Sequence, residues 1–203
     1  MKPVSLLSNY SGREPEAGCD EAGRGCLMGP VFAAAVILPP NFDCPILNDS
    51  KQLTAIQRKT LRLQIEEQAI AWGVASVSHE EIDKINILQA SIKAMHLALD
   101  KLIMTPVFII VDGNRFKPWR DVPWKCHIKG DGNWMSIAAA SILAKTHRDE
   151  WVGIIHHQYP EYDWAHNKGY ATAAHIAAID HFGYTEWHRR SFHLKRQTSL
   201  DLT

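Results

Sequence analysis

Four acidic residues stand where this chain could do chemistry. Asp20 and Glu21 are adjacent and run into Ala-Gly-Arg-Gly. Gly23 and Gly25 flank Arg24, a spacing that lets main-chain N–H groups come close to a ligand. An acidic pair beside glycines also fits a polar turn, yet this pair precedes a wholly apolar segment. Asp112 leaves the most hydrophobic stretch of the chain, Val107–Val111. Ligands of open α/β sheets gather at the carboxyl ends of strands, although a lone Asp there serves equally as a cap. Asp131, in Lys129-Gly130-Asp131, shortly precedes a long helical pattern, where its charge suits the helix dipole. Singly, each of these residues fits a turn or a helix end, so the surrounding elements decide whether they can meet.

The apolar run Val31–Leu38, bounded by Gly-Pro and Pro-Pro, reads as a buried strand, and Gly23, Gly25 and Gly29 mark a turn joining it to a short strand around Ala17–Glu21. Thr54 with Gln57 forms a capping-box pattern that opens a helix to about Ile70. Trp72–Val77 reads as a strand. Asn86 with Gln89 gives a second capping box, followed by Leu88, Ile92, Met95, Leu99 and Leu102 at helical spacing. Thr105-Pro106 ends that helix before the strand Val107–Val111, and a shorter strand covers Lys125–Ile128. A long helix from Ser136 to about His157 and a last helix over Ala171–Phe182 complete the pattern. The order predicts one α/β domain with a mixed central sheet flanked by helices, its first two strands antiparallel and later ones parallel. A helical extension follows from about residue 158.

Composition excludes several classes. Hydrophobic residues at 46% and charged residues at 22% fit a soluble globular enzyme of 203 residues rather than a disordered chain. The longest nearly apolar stretch, Val31–Pro40, falls far short of the roughly 20 residues that span a bilayer, and the N-terminus lacks a signal-peptide pattern. A cytoplasmic location, no membrane association and a monomer are expected. The four cysteines have no C-x-x-C spacing and read as reduced thiols. The histidines form no H-E-x-x-H motif, so scattered surface positions are expected. Net charge is zero, and the basic segment His188–Arg196 reads as a solvated tail or a phosphate-seeking patch.

Six blocks in order carry a resemblance that covers nearly the whole chain. They are Cys19–Val31 (CDEAGRGCLMGPV), Asn48–Thr54 (NDSKQLT), Val111–Asn114 (VDGN), Lys129–Glu150, Asn167–Thr172 (NKGYAT) and His188–Phe192 (HRRSF). In these the chain resembles bacterial ribonuclease HII. The resemblance implies a ribonuclease H-like fold and a metal-dependent endonuclease that hydrolyses the RNA strand of RNA–DNA hybrids. It also implies cutting on the 5′ side of single ribonucleotides in duplex DNA, leaving 3′-hydroxyl and 5′-phosphate ends. Its catalytic and metal-binding carboxylates map to Asp20, Glu21, Asp112 and Asp131. Two carboxylates about 4 Å apart repel by about 4 kcal/mol at an effective dielectric near 20, so converging acids call for cations. Oxygen-only ligands select hard ions, Mg²⁺ or Mn²⁺, and two ions roughly 3.5–4 Å apart are expected with substrate.

The same resemblance assigns recognition of the 2′-hydroxyl to Gly23, Arg24 and Gly25, a stacking role to Tyr170, and DNA-strand phosphate contacts to Ser50 and Lys51. Where the family commonly has a basic residue two positions after the KGD aspartate, this chain has Asn133. The strand before Asp20 is also unusually polar, beginning Glu16-Ala17-Gly18-Cys19. Arg148 and Asp149 read as an internal ion pair or surface feature, and Lys145 is left unassigned. The HIII type, which usually carries an additional N-terminal substrate-binding domain, is the nearest alternative; about 18 residues precede the first motif here, favouring HII. Other nucleases of the fold lack the GRG turn and the NKGY block.

Overall fold

The computed structural model describes residues 6–47, 50 and 52–193. Five strands form one sheet in the order β3-β2-β1-β4-β5: β1 (Glu16–Ala22), β2 (Val31–Ile37), β3 (Ala71–Val77), β4 (Phe108–Asp112) and β5 (Trp124–His127). β1 and β2 are antiparallel, and β4 and β5 continue from β1 in parallel. β3 departs from the expected pairing. It bonds antiparallel to β2, although it runs in the same direction as β1. The mixed α/β architecture is the one the element order predicts.

Side chains alternate across the sheet as the pleat requires. On β2, Ala33, Ala35 and Ile37 enter a core shared with α3 (Ile87–Asp100), whereas Ala34 and Val36 enter a second core shared with α1 (Ala55–Gln68) and α4 (Met135–His156). Helices therefore cover both faces, and each fully buried Ile or Leu contributes about 1.5–3 kcal/mol. The alanines of β2 and of α4 let helix and sheet approach closely. Gly18 marks the tightest point: a Cβ there would lie 2.2 Å from the Ser136 carbonyl carbon. The polar start of β1 also has an explanation, because buried Glu16 accepts hydrogen bonds from the Tyr10 and Ser11 amides at 2.9 and 2.8 Å.

The capping box at Thr54 forms as predicted, with both reciprocal bonds present. At Asn86 only the side-chain half resembles a box: its Oδ1 accepts from the Leu88 and Gln89 amides, while Gln89 Oε1 accepts from Lys117 Nζ instead. A short helix α2 (His79–Ile85) was not anticipated, although Ser78 and Glu81 carry its start signal and Ser78 Oγ accepts from the Glu81 amide. After α4 come a one-turn helix α5 (Trp164–Asn167) and α6 (Ala173–Phe182). They build a third apolar cluster around Trp164, Tyr162 and Met28. No helix among the described residues is long and apolar enough to cross a membrane.

Two surface expectations are overturned. His175, His188 and His79 are buried rather than exposed. His188 and Arg189 are each only 1% exposed, so the beginning of the basic segment is packed structure, not a solvated tail. Leu194–Arg196 lie outside the described residues.

Candidate active site

Asp20 and Asp112 are brought together by strand register. Cys19 pairs with Val111 across the parallel β1–β4 ladder, so the next residues, Asp20 and Asp112, emerge side by side. Cys19 and Val111 face the α3 core, and alternation turns both aspartates toward α4 on the opposite face. Glu21 follows at the rim, where its Oε1 accepts from the Arg24 guanidinium at 3.0 Å. A cleft of about 320 Å³ opens at this point, with Asp20, Glu21, Gly23, Arg24, Gly25, Ser50, Asp112 and Tyr170 all on its wall.

Asp131 is placed differently. It is 3% exposed, in a single 3-10 turn over Gly130–Gly132, and is not among the cleft-lining residues. That turn is tied to the site because the Gly130 amide donates to Asp112 Oδ1 at 2.7 Å. Lys51 lies outside the described residues. Asn133 is exposed and donates from Nδ2 to the Lys129 carbonyl.

The electrostatics favour a hard cation. Burial pushes the Asp20 carboxyl well above its ordinary range, and the neighbouring Glu21 and Asp112 charges push it further. Burial also raises Glu21, against the opposing pull of Arg24. Such strain is relieved by a divalent ion, and an all-oxygen donor set suits Mg²⁺ or Mn²⁺. Among the described residues, no three His, Cys, Asp or Glu side chains stand together as a group that could hold a metal ion by themselves.

Five cleft residues lay outside the sequence-predicted set: Ala22 at the end of β1, and Ser141, Lys145, Arg148 and Asp149 from α4. Ser141 hydrogen-bonds to Asp20 and shares a 3.0 Å contact with Ser50 Oγ. Lys145 pairs with Asp149 at 3.6 Å. Arg148 is buried and donates to the carbonyls of Pro30, Lys168 and Met28 rather than to an acid. Spacing had a signal to offer, since positions 141, 145, 148 and 149 follow one helical stripe.

The two turns predicted to touch substrate are held beside each other. Gly23 adopts φ +93°, and a Cβ there would lie 2.1 Å from Arg148 Nε, so only glycine fits. The Tyr170 ring lies 3.7 Å from where a Gly25 Cβ would be, and the side chain is 46% exposed. It lines the cleft instead of packing in the core. Its main chain is anchored from below. His175 Nδ1 contacts the Tyr170 carbonyl at 2.9 Å, and His175 Nε2 accepts from Trp164 Nε1 at 2.9 Å and meets His188 Nε2 at 3.2 Å. With His188 Nδ1 accepting from the Thr185 amide, both imidazoles must be neutral, and burial pushes His188 down to about 3.

An α/β nuclease of ribonuclease H type is the class that this sheet order and this strand-end pair of aspartates define. The model of the family Ribonuclease HII matches residues 17–195. The ribonuclease HII of Bacteroides fragilis is 58% identical over 187 residues, covering 92% of this chain and 93% of that protein. Ribonuclease H2 from Pyrococcus horikoshii superposes with a TM-score of 0.74 at 25% identity, over 87% of this chain and 93% of that one. The Archaeoglobus fulgidus ribonuclease HII, solved in complex with PCNA, gives 0.73 at 25% identity, over 92% and 98%. The chain belongs to the ribonuclease HII family, and is a ribonuclease H enzyme acting as an endonuclease on RNA–DNA hybrids.

Proposed function

We propose that the enzyme cuts on the 5′ side of single ribonucleotides embedded in duplex DNA as well as within RNA–DNA hybrids, in ribonucleotide removal during replication and repair. The observation that carries this reading is the meeting, in one cleft, of the aspartates of two adjacent parallel strands with the Gly23-Arg24-Gly25 turn and the exposed ring of Tyr170. Asp20, Glu21, Asp112 and Asp131 would hold two Mg²⁺ or Mn²⁺ ions. When bound, such ions activate water and neutralise charge developing on the leaving 3′ oxygen. Asp20 keeps its orientation through Ser141 and the Glu21 amide, whose N–H donates to Asp20 Oδ1 at 2.7 Å. The GRG turn reads the 2′-hydroxyl, the group that distinguishes RNA from DNA. Tyr170 supplies a flat apolar face against a sugar or base. Ser50 and Lys51 contact DNA-strand phosphate. The helical part from about residue 158 thereby contributes to substrate binding within a single catalytic domain. We place the enzyme in the cytoplasm as a monomer.

A labelled DNA duplex with one ribonucleotide, incubated with Mg²⁺, Mn²⁺ or EDTA, tests the reading, with Asp112→Asn beside the wild type. Metal-dependent cutting 5′ of the ribonucleotide, ending in 3′-hydroxyl and 5′-phosphate and lost in the variant, is expected. A folded wild type that cuts long hybrids but ignores the single ribonucleotide would refute it.

A further inference from the structure

Arg189 sits on the far side of the GRG turn from the cleft, 1% exposed, with its guanidinium stacked 4.9 Å from the Phe192 ring. Its Nη2 donates to the Gly23 carbonyl at 2.7 Å, Nη1 to the Arg24 carbonyl at 3.0 Å, and Nε to the Gly29 carbonyl at 2.9 Å. Two consecutive peptide carbonyls are thus drawn to one rigid, planar fork, the geometry that guanidinium supplies and ammonium does not. A trans peptide is planar, and its N–H points opposite to its C=O. The Gly23–Arg24 plane therefore turns the Arg24 amide away from Arg189, and the Arg24–Gly25 plane does the same for the Gly25 amide. Both residues line the cleft. Among the described residues neither amide has a main-chain or side-chain acceptor, so both are available to an oxygen from outside the protein.

We infer that Arg189 is a specificity-determining positioning residue, whose fork fixes the Gly23–Arg24 and Arg24–Gly25 peptide planes so that two main-chain N–H groups face the sugar oxygen of a ribonucleotide. The inference rests on the proposed reading of the 2′-hydroxyl by this turn, and assigns to a residue 165 positions away the orientation of the donors. Buried arginine at this place does more than fill space. The Arg24 side chain points to Glu21 and solvent, so it is the main chain of Arg24, not its charge, that Arg189 governs. Lysine keeps the charge but, as a point cation on a flexible stem, does not reproduce the planar fork that holds the Gly23 and Arg24 carbonyls together, leaving the Gly23 carbonyl its 3.4 Å bond from the Cys26 amide.

The test compares binding of a duplex carrying one ribonucleotide with the same all-DNA duplex, by fluorescence anisotropy with Ca²⁺ replacing the catalytic ion. Wild type, Arg189→Lys and Phe192→Ala are measured, each verified as folded by thermal melting. Loss of one or both N–H contacts, worth about 1 kcal/mol each, predicts that the ribo-over-deoxy affinity ratio falls about 5- to 30-fold in Arg189→Lys. All-DNA affinity should stay within about twofold, which a general loss of structure would not leave intact. Phe192→Ala, which removes the ring against the guanidinium without touching its hydrogen bonds, should lower the ratio about two- to fourfold. A folded Arg189→Lys with the wild-type ratio overturns the inference while leaving the substrate reading standing. If Arg189→Lys does not fold, an unchanged ratio in Phe192→Ala overturns it. A wild type without any ribonucleotide preference overturns the substrate reading and this inference with it.

Discussion

Replacing Gly18 with alanine should separate the sheet from its long helix. A Cβ at Gly18 would meet the Ser136 carbonyl carbon at 2.2 Å, the Ile137 nitrogen at 2.4 Å and the Ser136 oxygen at 2.6 Å. Ordinary contact lies near about 3.5–4.0 Å, so β1 and the start of α4 must part by more than about 1 Å. All three obstructing atoms are backbone, so no rotamer change absorbs the clash. A gap of about 0.5–1 Å already forfeits a quarter to a half of the dispersion attraction along the seam, and overpacking alone costs about 1–3 kcal/mol. The expected loss is about 3 kcal/mol, or roughly 6–12 °C in Tm for a chain of this size. Because Ser141 rides on α4 and hydrogen-bonds to Asp20, activity should fall along with stability. Gly153→Ala, in the same helix, is the control: its Cβ meets nothing within 4 Å, and alanine should stabilise by about 0.5–1 kcal/mol. Urea unfolding of both variants, with cleavage rates at a temperature where each is folded, checks the pair. A Gly18→Ala midpoint within about 1 kcal/mol of wild type would refute the reasoning.

Asp20→Asn should abolish cleavage yet raise Tm in EDTA, because it removes a buried acid crowded by two others; Mg²⁺ should stabilise the wild type more than the variant in the same melting assay, and an unchanged or lowered Tm in EDTA counts against the strain. His188 is held down to about 3 by burial, against about 6.5 when unfolded. The unfolded chain therefore binds more protons between those values, and this contribution to stability is complete above about pH 6.5 and lost as pH falls. A drop on the order of 1–2 kcal/mol between pH 7.5 and pH 5 should appear in urea midpoints and be smaller in His188→Asn; equal slopes would contradict it. Tyr170→Phe should keep kcat/KM within about threefold, whereas Tyr170→Ala should lose about 5- to 100-fold, the worth of one stacking contact of about 1–3 kcal/mol. Equal losses in both would mean that the hydroxyl, not the ring face, is what matters.

The strands and helices were legible because their signals are local. Val31–Ile37 is a β-branched and alanine-rich run between Gly-Pro and Pro-Pro, and Thr54 with Gln57 places a helix start to the residue. The acids were legible as residue types in recognisable blocks. The eight cleft-lining members of the predicted set were named through the resemblance of their sequence blocks, because singly each fits a turn, a cap or a core position. Asn86–Gln89 shows the limit of that kind of reading: Gln89 matches the box by spacing, but Lys117, far along the chain, takes its side-chain oxygen.

What sequence determined by itself was thus the elements, the mixed sheet and the acidic residues that could serve it. Register, burial and long-range partners were decided only by tertiary structure. Asp20 and Asp112 meet because Cys19 pairs with Val111 across a parallel ladder, a choice made by packing against α3 and α4 together. His175, His188 and Arg189 look like surface residues by type, since polar groups are costly to bury without partners. Their partners are the carbonyls of Tyr170, Gly23, Arg24 and Gly29, the indole of Trp164, the Thr185 amide and, between the two histidines, each other. Carbonyls belong to every residue and leave no trace in a sequence, so only the folded chain shows which ones a buried cation will find.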